Sequence, residues 1–242
     1  MRDYQKELEK RVAFIRKALQ DAHAKGIVYG NSGGKDSALV GILCKKACDN
    51  VLGIMLPCQS KRNFEEDMED GKAVAKQFGI ETTAVDLTAV KEEMTKALSG
   101  LTELSPMASA NIAPRLRMTA LYAVAQTRNS LVAGTGNASE RYMGYFTKWG
   151  DGACDFNPIA DLTVTEIFEF LRFLNAPASI IEKAPSAGLF EGQTDEKEMG
   201  VTYREIDLFM EQGTGSQTSV EKIKAAHAAS EHKRVMPKLF EE

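Results

Sequence analysis

Gly30-Asn31-Ser32-Gly33-Gly34-Lys35-Asp36-Ser37 is the segment of this chain whose residue types and spacing are best suited to chemistry. Glycines let a backbone turn tightly and approach a ligand without a Cβ in the way. If a helix starts at the end of such a turn, its first N–H groups and its dipole favour an anion there. Asp36 then falls in the first helical turn, beside that anion. A carboxylate next to phosphate makes chemical sense when a divalent cation such as Mg²⁺ lies between them. The segment is not a Walker-type P-loop, which needs Gly where Tyr29 stands and Ser or Thr where Asp36 stands. A second dense stretch runs from Gly134-Thr135-Gly136-Asn137-Ala138-Ser139-Glu140 through Gly144-Tyr145-Phe146-Thr147-Lys148-Trp149-Gly150-Asp151-Gly152-Ala153-Cys154-Asp155. Glu140 can supply the second carboxylate for a cation, and Lys148 a charge for phosphate or carboxylate. Tyr145, Phe146 or Trp149 offers a face for a flat ring.

The elements around these stretches alternate. An amphipathic helix is expected over 3–24, with Tyr4, Leu8, Val12, Ile15 and Leu19 at helical spacing. Strands are expected at 26–30, 51–56, 82–87 and 130–135, and helices at 36–49, 63–78, 88–98 and 114–128. Strand–helix alternation implies right-handed crossovers and a doubly wound parallel sheet with helices on both faces. Ligands of such α/β folds lie beyond the carboxyl ends of the strands, where both stretches fall. From about residue 161 the chain reads as helical (163–175, 178–183, 202–212, 218–230), with an aperiodic loop at 184–200 read as mobile. One domain is expected over 1–242, its nucleotide-binding α/β core at about 25–160.

Composition narrows the partners. The net charge of -4 gives no reason to expect nucleic-acid binding. No apolar run reaches membrane-span length, and the amino terminus lacks the core of a signal peptide, so a cytoplasmic protein is expected. Cys44 and Cys48 lie four apart, but the three histidines are far from them in sequence. Buried apolar packing is the expected role of the cysteines.

Ser32-Gly33-Gly34-x-Asp36-Ser37 resembles the fingerprint of the ATP pyrophosphatases, enzymes of an adenine nucleotide alpha hydrolase-like, Rossmann-like fold. With Asn111-Ile112-Ala113-x-Arg115-x-Arg117-Met118, the 134–140 and 144–152 stretches and Gln193-Thr194-Asp195-Glu196, the order is similar to that of the short, ammonia-dependent NAD synthetases. The likeness runs from about residue 10 to His232-Lys233. It implies a ligase with ATP as co-substrate. The carboxylate of deamido-NAD attacks the α-phosphorus, pyrophosphate leaves, and ammonia displaces AMP from the mixed anhydride. By the same resemblance Gly30 to Ser37, Thr135 and Ser186 contact ATP. Arg115, Lys148, Asp155, His232 and Lys233, with Tyr145 and Phe146, contact deamido-NAD. Asp36 and Glu140 hold Mg²⁺, and Asp155 or a neighbouring acid orients or deprotonates ammonium. Members are homodimers, and here helices 114–128 and 163–175 are expected at the interface. Two departures stand out. Val164 occupies the position of a lysine that reaches ATP phosphates, so either Lys183, Lys197 or Lys35 replaces it or ATP affinity is lower. Asn31 stands where a small apolar residue is usual. The rival readings are another ATP pyrophosphatase (a tRNA thiolase, or the synthetase half of a GMP synthetase) and a silent nucleotide-binding module.

Overall fold

The computed structural model describes residues 2–59, 66–182 and 195–240. After helix α1 (Tyr4–Asp21) come β1 (Gly26–Gly30), α2 (Lys35–Ala47), β2 (Val51–Met55), α3 (Glu66–Phe78), β3 (Glu81–Ala84) and α4 (Thr88–Ser99). Then follow α5 (Pro106–Ala110), α6 (Ile112–Thr127), β4 (Ser130–Ala133) and α7 (Ala138–Met143). The carboxyl-terminal part is helical: α8 (Val164–Phe173), α9 (Ala178–Ile181), α10 (Asp195–Met199), α11 (Tyr203–Gln212), α12 (Gln217–Ala229) and α13 (Glu231–Arg234).

The four strands form one parallel sheet in the order β3-β2-β1-β4. β1 and β2 read as unbroken apolar runs because helices cover both faces of the sheet. On one face Ile27, Tyr29, Leu39, Ile42, Leu43 and Ile159 pack with Ile167 and Phe170 of α8. On the other, Val28, Leu52, Ile54 and Val132 meet Leu116, Leu121 and Tyr122 of α6. The order reverses at β1, so the crevice between the carboxyl ends of β1 and β4 is the switch point where such sheets take ligands.

Most expected boundaries hold to within a few residues. The strand expected at 82–87 is Glu81–Ala84 and mostly exposed, since it lies at the sheet edge. The loop expected at 184–200 falls outside the described residues up to 194, and its last part is helix α10. α5 and α7 lie in stretches for which the sequence predicts no helix. Each is too short to show a periodicity, but each carries a cap: Ser105 accepts from the Ala108 N–H, and Asn137 and Glu140 form a reciprocal capping box. Part of the apolar stripe of the expected interface helix 163–175 is spent inside the chain, with Ile167, Phe170 and Leu171 fully buried in the core, while Phe173 stays exposed.

Candidate active site

The turn between β1 and α2 is fixed by its own side chains. The Gly34 N–H donates to Ser32 Oγ at 3.3 Å, Ser32 Oγ donates to Ser37 Oγ at 3.1 Å, and Ser37 Oγ donates to the Gly34 carbonyl at 3.0 Å. Gly33 has φ +71°, and a Cβ there would run into the Asp67 carbonyl in the first turn of α3. Glycine is therefore required twice over. Asn31, the unusual residue of the turn, is buried and donates from Nδ2 to the Gly71 carbonyl at 3.1 Å. It ties the turn to α3.

The charged centre of the site joins the two dense stretches. Lys35 is 6 % exposed, and its Nζ lies 2.7 Å from Asp36 Oδ2. Asp36 Oδ1 accepts from Asn137 Nδ2 at 3.1 Å, across 101 positions of sequence. The backbone N–H of Asn137 donates to Glu140 Oε2 at 3.1 Å. Asp195 is buried and accepts from the Tyr203 hydroxyl at 2.8 Å, and the Lys35 ammonium sits 5.5 Å from the centre of the Tyr203 ring. Burial, and then the Asp36 charge, push the Glu140 carboxyl well above its ordinary value, against the pull of Lys35. For Lys35 burial disfavours the charge, but Asp36 and Glu140 more than offset it and raise the ammonium above its usual value.

These groups line one hollow of about 400 Å³ beyond the carboxyl ends of β1, β2 and β4. Gly30, Asn31, Ser32, Gly34, Lys35, Asp36 and Ser37 line it together with Thr135, Gly136 and Glu140. Ile54, Leu56, Met118 and Leu121 add apolar lining, and Tyr145, Phe146 and Lys233 also line it. Lys233 Nζ donates to the Gly144 and Phe146 carbonyls, 2.8 Å each, and lies 5.4 Å from the centre of the Phe146 ring.

Four expected acceptor residues do not line the hollow. Arg115 is exposed and donates to the Lys148 carbonyl at 3.3 Å; Lys148 Nζ donates to the His232 carbonyl at 2.5 Å. The three thus form one linked cluster away from the hollow. Asp155 is tied to β4, its Oδ2 accepting from the Val132 N–H at 2.7 Å. Ser186 and Lys183 fall outside the described residues. Trp149 is half-exposed under the Lys148 ammonium, and Lys197 is exposed. Val164 is buried with Met143, Tyr203, Ile206 and Ile223, so it packs; of the two candidate replacements among the described residues, Lys35 lines the hollow and Lys197 does not.

The hollow also holds residues the sequence left unassigned. Arg117 lines it where Arg115 does not, because two helical positions turn a side chain through roughly 200°. Both lie in one motif, so helical phase was the missing signal. Asp195 and Glu198 enter from α10, whose start adjoins residues outside those described. Backbone N–H groups and a lysine there have the chemistry to take an anion, beside two carboxylates of the type that ligate a divalent cation. Among the described residues no cluster of three or more His, Cys, Asp or Glu could hold a metal alone. Substrate oxygens would have to complete the shell, as is common for Mg²⁺.

A parallel sheet with a glycine-rich phosphate turn at its switch point and acids facing that turn defines a nucleotide-dependent α/β enzyme. Residues 7–237 match the family model described as NAD synthase, and the chain belongs to that family. It is 45% identical over 240 residues to the NH(3)-dependent NAD(+) synthetase of Carboxydothermus hydrogenoformans, covering 98% of each chain. Among solved structures, the NH3-dependent NAD synthetase of Campylobacter jejuni is 30% identical with a TM-score of 0.81, and each chain is covered in full. A structure described as NMN synthetase from Francisella tularensis is 37% identical, with a TM-score of 0.93 and 99% of each chain covered.

Proposed function

We infer that the hollow is where this chain, a ligase of the NAD synthase family, uses ATP and ammonia to amidate the carboxylate of deamido-NAD. One observation carries the reading. Asp36 and Glu140, from motifs a hundred residues apart, are brought to one side of a turn built to receive phosphate.

A carboxylate is a poor electrophile because its leaving group would be oxide. Attack of that carboxylate on the α-phosphorus of ATP expels pyrophosphate and leaves an acyl adenylate, from which ammonia can displace AMP. The Ser32–Ser37 turn receives the departing pyrophosphate on backbone N–H groups, Ser32 and Ser37, with Lys35 adding a positive charge. Asp36 and Glu140 are the residues that would hold Mg²⁺, which when bound would offset charge on the phosphate oxygens. Thr135, and Ser186 outside the described residues, are assigned to ATP. Tyr145, Phe146 and Lys233 are assigned to the nicotinate end, and Arg115, Lys148 and His232 to acceptor groups that extend past the hollow. Asp155 is assigned to positioning, since it holds the end of β4 from which Thr135 follows. We further assign the chain to one catalytic domain working in the cytoplasm as a homodimer, with the half-buried face of α6 as the contact; no described helix is long and apolar enough to cross a membrane.

The likeness to an NMN synthetase favours a second reading, in which nicotinate mononucleotide is the acceptor. One assay tests both: purified protein with ATP, Mg²⁺ and ammonium, given either acceptor, followed for amide product and pyrophosphate. Amidation of deamido-NAD with a higher kcat/KM supports the first reading. Preference for the mononucleotide supports the second. Absence of pyrophosphate with either one overturns both.

A further inference from the structure

Lys35 is hard to account for as a phosphate contact alone. Its ammonium is buried, bonded to Asp36 and set over the Tyr203 ring, on the hollow that also holds Glu140 and Asp195. Three of the four oxygens of the Asp36–Glu140 pair already have partners: Lys35 on Asp36 Oδ2, Asn137 Nδ2 on Asp36 Oδ1, and the Asn137 N–H on Glu140 Oε2. A divalent cation approaching Asp36 would meet an ammonium at hydrogen-bonding distance from the same carboxylate, in a setting that screens charge poorly. Protein side chains also offer it too few ligands, since the described residues contain no cluster of three.

We propose that Lys35 is a resident cation that keeps the metal site closed until a nucleotide enters. The proposal rests on the assignment of Asp36 and Glu140 as the metal pair. The triphosphate brings oxygens for both cations at once. Lys35 is buried in the wall of the hollow, so a phosphate entering there is a new acceptor for its ammonium. When its ammonium moves from Asp36 to phosphate oxygen, Asp36 is released to the metal and the phosphates fill the remaining positions. Binding of metal and nucleotide is then cooperative, and linkage makes the coupling reciprocal. Free Mg²⁺ does not occupy the empty enzyme. Asp36 stays paired with Lys35 in the meantime.

The test is Mn²⁺ binding to the full chain by water-proton relaxation, which separates protein-bound from nucleotide-bound metal, with and without α,β-methylene-ATP. Wild type is expected to bind Mn²⁺ weakly alone and at least about tenfold more tightly with the analogue, a coupling of ordinary size. Lys35→Met is expected to bind Mn²⁺ alone at least about tenfold more tightly than wild type and to lose most of the coupling. Equal Mn²⁺ affinity of wild type and Lys35→Met without nucleotide overturns the proposal. So does wild type that binds Mn²⁺ equally well with and without the analogue, a result that decides the matter even if Lys35→Met and Lys35→Gln both fail to fold. Asp36→Asn separates the underlying assignment: if it leaves Mn²⁺ affinity with the analogue unchanged, the metal pair itself is misassigned.

Discussion

At the proposed phosphate end the charged side chains are buried or part-buried and bonded to one another; at the proposed acceptor end Arg115 and Lys148, which do not line the hollow, are at least partly exposed and bond to backbone carbonyls. Lys35, Asp36, Asn137 and Glu140 form a network whose partners come from α2 and α7, at the two strands flanking the switch point. A buried network of this kind is preorganised, and each missing partner leaves a charge with no water to replace it. The exposed cluster of Arg115, Lys148 and His232 can rearrange around a ligand at little cost. On the proposed assignment, the first end is suited to chemistry on ATP and the second to adjustable recognition. Substitutions at the first should therefore change rate, and at the second should change acceptor affinity.

Asp36→Asn offers the sharpest test of that division. Loss of the carboxylate removes a proposed metal ligand and leaves Lys35 without its ion pair. Turnover is expected to fall by about 10³-fold or more, equivalent to about 4 kcal/mol of barrier. Rates of pyrophosphate release on a variant shown to be folded by circular dichroism check this. If more than a tenth of wild-type turnover remained, the phosphate end would not be the rate-setting one.

Gly33→Ala acts on the same end through the backbone. A side chain at φ +71° costs about 1–3 kcal/mol, before the clash with the Asp67 carbonyl is counted. For a chain of this size each kcal/mol lowers Tm by roughly 2–4 °C. Calorimetry should show that loss, with KM for ATP rising and KM for the acceptor unchanged. The reverse pattern in KM would place the turn at the acceptor end.

Glu140 gives the pH signature of the buried end. Its carboxyl is held well above the ordinary value by burial and by Asp36. The folded chain therefore binds a proton that the unfolded chain has already released. Stability from this group is complete below the unfolded pKa and is lost as pH rises through the folded value. Glu140→Gln, which keeps an oxygen to accept the Asn137 N–H, should melt higher than wild type at pH 8. The gain should vanish on acidification below the ordinary glutamate pKa, and turnover should be low throughout. A lower Tm at pH 8 would contradict the burial of the charge.

The same contrast decides what could be read from the sequence. Contiguous spacing carried the phosphate end: Ser32-Gly33-Gly34-x-Asp36-Ser37 needs one strand–turn–helix, and the apolar runs of β1 and β2 announce it. Glu140 was legible as a carboxylate, but α7 beneath it was not read as helix, although Asn137-x-x-Glu140 has the form of a capping box. Six residues give too little periodicity for a helix to be seen by pattern. Asp195 and Tyr203 reach the site only through tertiary packing of the carboxyl-terminal helices, which no local pattern encodes. At the acceptor end Arg115 and Arg117 differ by helical phase alone. The apolar stripe of 163–175 had two uses open to it, a core or a subunit contact, and only the packing of Ile167, Phe170 and Leu171 separates them.

Lys148→Ala and Arg115→Ala probe the acceptor end directly. Loss of one charge-assisted contact to a bound acceptor corresponds to about a tenfold rise in its KM, with kcat and KM for ATP nearly unchanged. Steady-state kinetics with each acceptor checks this. An effect on deamido-NAD but not on nicotinate mononucleotide would place the exposed cluster beside the part that only the dinucleotide has.

Asp155 lies between the two ends in character, and it should show the smallest effect on rate. Its carboxylate receives the Val132 N–H at 2.7 Å and the Tyr122 hydroxyl at 3.3 Å, so it acts on the end of β4 and not on the hollow. Asp155→Ala leaves the Val132 N–H unpaired beside the sheet, a loss of about 1–3 kcal/mol that calorimetry should detect. The kcat should change by less than about threefold, since under 0.7 kcal/mol of barrier is at stake for a residue acting through another. An acid that takes the proton from ammonium behaves differently. Its removal lowers kcat at every ammonium concentration and abolishes the acidic limb of the pH–rate profile. A wild-type profile with that limb, and an Asp155→Ala profile without it, would move Asp155 from positioning to proton transfer.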